Sequence, residues 1–226
     1  MNMRLPYYSI RPGRLLLLVA FLSTVAIAQD SAENPIPHFL FPQFNTGTIL
    51  MKDGKSFTSL LNYNMAEERM ITELNGTYRV AKNTETFDTI YIQNRKFVPA
   101  EKGFLELLIA GAATFFFEHK CNLTPMGSSV GYGQKSQSVG PTDMRRLEIP
   151  GDVVHIELPP NVEITPASVC WVRKGDELLK FTGTNQFLKI FPEKADQLKK
   201  YIKSEKINFK NREDILKLGT FCNQIL

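Results

Sequence analysis

The chain has 226 residues, 27 lysines and arginines against 23 aspartates and glutamates, a net charge of +4, and only three cysteines. That length allows one domain or two small ones with a genuine core, and so few cysteines exclude a disulfide-stapled miniature fold. The charge excess is concentrated: Arg4, Arg11 and Arg14 fall in the first 28 residues, which carry no acid, so the remaining 198 residues stand at 24 to 23, a net charge of +1, and give no electrostatic reason to expect nucleic acid or an anionic membrane surface as partner.

Residues 1–28 read as a cleavable secretory signal peptide. The three arginines make a basic start, Leu15 to Ile27 an apolar run, and Ala26-Ile27-Ala28 a small-x-small site, which predicts cleavage between Ala28 and Gln29. An uncleaved anchor is the alternative, but the run is shorter than the roughly 18–20 residues that span a bilayer. Residues 29–43, with Pro35, Pro37 and Pro42, read as an extended leader.

From residue 44 to 182 the pattern is that of short antiparallel strands, a sandwich or barrel-like sheet of hairpins. Thr48 to Lys52 leads into Asp53-Gly54, and Arg69 to Leu74 into Asn75-Gly76; both dipeptides are tight-turn signals because they tolerate positive φ. Ile90 and Ile92 share a face up to a turn expected at Asn94-Arg95, and Phe97-Val98 continue beyond it. Phe104 to Ile109 and Thr114 to His119 form a further hairpin around Ala110-Gly111-Ala112; Glu106 and Gly111 argue against a membrane span there, and no transmembrane span is expected in the mature chain. Residues 122–141, rich in Gly and Ser, read as a flexible loop. Val154, Ile156 and Leu158 alternate in a strand that Pro159-Pro160 stops. Ser168 to Arg173 and Glu177 to Phe181 flank Lys174-Gly175-Asp176, with Val169, Trp171, Leu179 and Phe181 expected in the core.

In residues 183–226 the period changes to that of helices. Thr184 is expected to cap a short helix through Phe191, Pro192 to open a second with Ala195, Leu198 and Ile202 on one face, and Asn211 to cap a third that turns Ile215, Leu218, Cys222 and Ile225 inward, with Gly219 as a weak point. The fold class expected is therefore mainly β with two or three short C-terminal helices, α+β overall. The lysines from Lys199 to Lys210 alternate with Ile202, Glu205 and Ile207 and read as a solvated face.

Catalytic motifs are absent. There is no G-x-S-x-G elbow, and Gly131-Tyr132-Gly133 lacks the third glycine and the βαβ context of a dinucleotide site. The residues nearest to a metal set are His119, Cys121, His155 and Cys170, with alternation placing His119 and Cys121 on one strand face, but their spacing matches no short zinc motif. No catalytic residue, metal or cofactor is assigned; Tyr132 is a candidate contact residue because a loop aromatic offers contact area at low entropic cost. One pair among Cys121, Cys170 and Cys222 bridging, and all three lying reduced in the core, are equally open.

Several runs resemble one group of proteins: Leu61-Asn62-Tyr63-Asn64, Tyr91 to Pro99, Gly131 to Ser136, Phe187 to Pro192, and Ile207-Asn208-Phe209-Lys210. They are similar to small exported proteins of unknown function from Bacteroidota-type Gram-negative bacteria. The resemblance covers nearly all of the mature chain, implies a periplasmic or cell-envelope address and a β-rich body, and carries no catalytic or binding residue with it. The expectation is an exported, non-enzymatic module that binds an envelope protein or a surface polymer. A β-cup for a small apolar ligand, drawn from Phe115-Phe116-Phe117, is the alternative, and a hydrolase or metal enzyme using His119 or His155 comes after it.

Overall fold

The computed structural model describes residues 36–126, 129–130, 134–135, 153–154, 156–158 and 161–226. Met1–Ala32 and Glu33–Leu226 are separate units, and the account that follows concerns the second. The signal segment, the first part of the leader, Tyr132 and His155 lie outside the described residues.

The alternating segments pair as expected into antiparallel hairpins. β1 (Asn45–Met51), β2 (Ser56–Asn64), β3 (Arg69–Leu74), β4 (Thr77–Val80), β5 (Phe87–Ile92), β6 (Arg95–Pro99), β7 (Phe104–Ile109) and β8 (Thr114–Glu118) are followed by β9 (Cys121–Pro125), β10 (Ser129–Val130), β11 (Gln134–Lys135), β12 (Val162–Pro166), β13 (Val169–Lys174) and β14 (Glu177–Phe181). Ten of them form one sheet in the order β14-β13-β8-β7-β6-β5-β1-β2-β3-β4. The body is thus mainly β, as the periodicity predicts. At Asn75-Gly76 both turn residues have positive φ, +52° and +73°, the requirement of a two-residue hairpin turn that matches strand twist. The β5–β6 turn comes one residue earlier than expected, at Gln93-Asn94, with Gln93 at φ +53°. Arg95 therefore opens β6 instead of closing the turn.

Register sorts the side chains into two faces. One row runs Ile49, Ile90, Phe97, Glu106, Phe117, Cys170, Phe181 across seven adjacent strands. On this face the helices pack: α1 (Thr184–Ile190), α2 (Ala195–Ser204) and α3 (Arg212–Ile225) bring Phe187, Leu198, Ile215, Leu218 and Cys222 against Phe115, Phe117, Cys170 and Phe181. A second apolar cluster, including Leu61, Tyr63, Met70, Ile90 and Phe97, fills the β1–β7 part. Phe116 is buried as well, so the triple phenylalanine belongs to a strand covered on both faces.

On β13 the expectation holds for Val169, which is buried, and fails for Trp171. Cys170 and Val172 are the fully buried residues packed with the helices, whereas Trp171 is half-buried and pairs with Phe116 and Lys180 on the other face. Large apolar size misassigned the face; the alternation itself was intact.

Within the loop expected at 122–141, the described residues are largely strand: the end of β9, then β10 paired with β11. β9 pairs with β12 in register from Cys121↔Pro166 to Pro125↔Val162, continuing the β8–β13 ladder through the Ala167 amide, which donates to the Lys120 carbonyl at 2.8 Å. The strand expected at Val154 to Leu158 is, in its described part, a single bridge from Val153 to Arg79 on β4, with the Val154 amide donating to the Tyr78 carbonyl.

Residues 36–44 turn Phe39 and Phe41 into buried positions. What holds them is Asn62, itself wholly buried: its Oδ1 accepts from the amides of Phe41 (3.1 Å) and Tyr63 (2.8 Å), and its Nδ2 donates to the carbonyls of Phe41 (2.9 Å) and Gln43 (3.2 Å). Next door, Asn64 Oδ1 accepts from Ala66 and Glu67 and shapes the β2–β3 turn. The two asparagines of Leu61-Asn62-Tyr63-Asn64 are therefore structural. Asn62→Leu would keep the branched shape but strand the buried Phe41 amide and carbonyl, at a cost of roughly 1–3 kcal/mol. Urea unfolding of the variant should show the lower midpoint; an unchanged midpoint would contradict the role.

The helices begin much as read. Asn211 caps α3, accepting from the Asp214 amide at 3.1 Å. At α1 the cap is Gly183 and Thr184 is the first helical residue; the reciprocal bond comes instead from Gln186, whose Oε1 accepts from the Thr182 amide at 2.8 Å. Gly219 is an asset of α3, because a Cβ there would meet Ile109 and Phe115 side-chain atoms at 2.9 Å. The glycine lets the helix seat closely on β7 and β8. Among the described residues no helix is long and apolar enough to cross a membrane.

Candidate functional site

Glu106 lies in the middle of the apolar row on the helix-covered face, between Phe97 and Phe117, and its side chain has no solvent exposure. A carboxylate is tolerated in such a place only if hydrogen bonds replace its water. Three residues from three elements supply them. Arg95, first residue of β6, donates Nε to Oε1 at 2.9 Å and Nη2 to Oε2. Arg212, first residue of α3, donates Nε and Nη2 to Oε1 at 2.7 and 2.6 Å, with its Nη1 on Glu213 at 2.7 Å. His119, just past the end of β8, has Nε2 2.7 Å from Oε2.

The surroundings complete the fit. The Arg95 guanidinium lies over the rings of Phe41 and Phe97, 5.2 and 5.6 Å from their centroids. A cation at a helix N-terminus opposes the helix dipole, so Arg212 there depends on Glu106 and Glu213. At the other end of α3, Asn223 brackets Ala113, Oδ1 accepting from its amide at 2.8 Å and Nδ2 donating to its carbonyl at 2.9 Å. Helix α3 is thus pinned to the sheet at both ends, with Gly219 in close contact between them.

Electrostatics follow from these contacts. Burial pushes the Glu106 carboxyl up, but the hydrogen bonds from His119, Arg95 and Arg212 outweigh it and hold the group well below the usual carboxylate range. Burial pushes the His119 imidazole down, and the positive charges of Arg95 and Arg212 act the same way, against the hydrogen bond to Glu106. His119 is accordingly neutral at pH 7, and the charges of Arg95 and Arg212 are balanced by Glu106 and Glu213. Every lone pair that Glu106 offers is engaged, and His119 Nε2 also lies 2.7 Å from Arg95 Nη2. The Glu106 carboxylate is not placed to take a proton from a nucleophile.

His38 adds to the acid sensitivity, because burial lowers its pKa to about 4. For a histidine lowered in the fold, the unfolded chain takes up the proton first. Stability is therefore full above about pH 6.5 and falls as the pH drops toward 4, for His38 alone at up to about 1.4 kcal/mol per pH unit. Thermal melts should give a lower midpoint at pH 5 than at pH 7; a flat profile would contradict this assignment.

The other expected site residues are dispersed. Cys121 opens β9, its thiol pushed up to about 11 by burial, in a ladder whose register runs on unchanged from Glu118↔Val169 to Cys121↔Pro166. Cys170 lies under the helices with its thiol raised to about 12, donating to the Phe209 carbonyl at 3.1 Å. Cys222 is likewise buried and raised to about 12, and all three cysteines are free thiols. Raised, buried thiols are inert as nucleophiles. Among the described residues no three His, Cys, Asp or Glu side chains gather as a metal site. Sequence reasoning passed over Arg95 as a turn residue and did not single out Arg212. The available signal was Glu106, one acid in the run Phe104 to Ile109, which demands cationic partners wherever it is buried.

Comparison with protein-family models, with curated proteins and with solved structures yields no match.

Proposed function

We propose that the protein is an exported, non-enzymatic binding module of the cell envelope, working through the face of the sheet that the helices leave free. The observation that carries this reading is the division of labour between the two faces. On the helix side, Glu106, His119, Cys170 and Cys222 are spent on holding the fold. On the opposite face of the sheet, Leu60 and Tyr91 are 39 and 41 % exposed, and Trp171 is half-buried. Single exposed apolar residues are ordinary; what supports a contact role is that they share one face of a rigid sheet.

The export part rests on the basic, apolar and small-x-small order of residues 1–28. The apolar-cup alternative has less support, because Phe115, Phe116 and Phe117 are all buried and Phe115 packs on other rings, 6.4 Å from Phe181 and 6.0 Å from Phe187.

Expression of the full chain in a Gram-negative host, followed by fractionation and N-terminal sequencing, tests the address. The expected product starts at Gln29 and is found beyond the inner membrane. An intact chain retained in the cytoplasm would overturn the proposal, as would turnover of a substrate that His119→Gln abolishes without unfolding the protein.

A further inference from the structure

The helix-free face carries a second cross-strand row, in register with the first but with different chemistry. Tyr91, Lys96, Leu107, Phe116, Trp171 and Lys180 are successive neighbours from β5 to β14. Its two ends have the same composition. Lys96 Nζ lies 5.9 Å from the Tyr91 ring centroid, and Lys180 Nζ 5.9 Å from that of Trp171. In the middle, Leu107 is half-buried and Phe116 is buried, with the Arg173 guanidinium 5.0 Å from the Phe116 centroid. Of the acids near the row, Glu118 accepts from Trp171 Nε1 at 2.7 Å and pairs with Lys120 at 3.2 Å, whereas the exposed Asp88, which accepts from the Thr89 hydroxyl at 2.9 Å, lies beside Leu107, Phe116 and Arg173 and offsets part of the positive charge at the middle of the row. The face is therefore cationic at Lys96, Lys180 and Arg173, and aromatic at both ends.

Resting on the binding-module reading above, we infer that this row is the binding site for an extended acidic polysaccharide, its uronate carboxylates meeting Lys96, Lys180 and Arg173 and its sugar rings stacking on Tyr91 and Trp171. Charge complementarity selects an anionic ligand. The flat rings select one with apolar C–H faces, which pyranose rings present on alternate sides. Four interstrand steps separate Tyr91 from Trp171, about 19 Å at about 4.8 Å each, a span suited to a chain molecule. A small ligand would use one end only.

Trp171 is the single tryptophan of the chain, so its fluorescence reports on the site directly. The test titrates the mature protein with oligogalacturonate, with dextran as the neutral sugar and oligo(dT) as the non-sugar polyanion. Saturable quenching by oligogalacturonate is expected, weakened by added salt and weakened about tenfold in both Tyr91→Ala and Lys180→Gln, two exposed positions whose replacement leaves the fold intact. No quenching, equal response to dextran, tighter binding of oligo(dT), or unaltered affinity in both variants would each overturn the assignment. Cross-linking to an envelope protein that Tyr91→Ala leaves unchanged would overturn it too, while leaving the broader binding-module reading in place.

Discussion

Replacing Glu106 by Gln should lower stability by roughly 3–5 kcal/mol, the usual cost of removing one partner from a buried ionic network. The reason is what remains: two guanidiniums facing a neutral amide inside the sheet–helix junction. The lower figure is the more apt, because the side chains of Arg95 and Arg212 keep 19 and 25 % exposure and recover some hydration. For a chain of this size that corresponds to a fall in Tm of about 6–12 °C. Arg212→Gln should be milder, since it removes one donor set and leaves Glu106 with Arg95 and His119. The double variant should cost less than the two single changes added, because the residues share one network. Thermal melts of the four proteins check this. A Tm for Glu106→Gln within about 1 °C of the unaltered protein would show that the network contributes nothing net.

Phe181→Ala should be of comparable size, roughly 3–5 kcal/mol, for an unrelated reason. Phe181 ends the edge strand β14, is fully buried, and touches three separate parts of the fold through its ring: Phe187 of α1 at 4.9 Å, Phe209 of the α2–α3 connection at 6.0 Å, and Phe115 of β8 at 6.4 Å. Truncation opens a cavity at the point where the helical segment joins the sheet, and neighbours anchored on different elements cannot all collapse into it. Phe181→Leu keeps most of the volume and should cost less than about 1.5 kcal/mol. Urea midpoints distinguish the two; equal losses for Ala and Leu would mean that ring contacts, and not the cavity, set the cost.

Local signals in the sequence carried the secondary structure well and the partnerships poorly. Asn75-Gly76 marked its hairpin because only residues tolerant of positive φ fit that turn, and Asn211 marked α3 because a capping side chain is read from its own neighbours. Trp171 was assigned to the wrong face because size was weighed above alternation with Cys170 and Val172. β9 and β12 escaped notice because each finds its partner some forty residues away and neither has a strongly apolar pattern. The network at Glu106 was partly legible: a lone acid in an apolar strand announces buried cations, but nothing local says that they come from Arg95, 11 residues before it, and Arg212, 106 residues after it. A slip of one residue at the Gln93-Asn94 turn was enough to hide Arg95. His119 was singled out for chemistry and is indeed at the cluster, in a supporting role that only the geometry reveals.

One face of the sheet holds the fold and the other is proposed to meet partners, and one measurement tests that separation directly. The purified mature chain, its Glu106→Gln variant and its Tyr91→Ala variant are compared for retention on isolated envelope material from the native host, at a temperature where all three are folded. Tyr91→Ala should lose most of its retention with an unchanged Tm, and Glu106→Gln should keep its retention despite a lowered Tm. Retention lost in Glu106→Gln while folded, and kept in Tyr91→Ala, would contradict the account and return the function to the buried cluster.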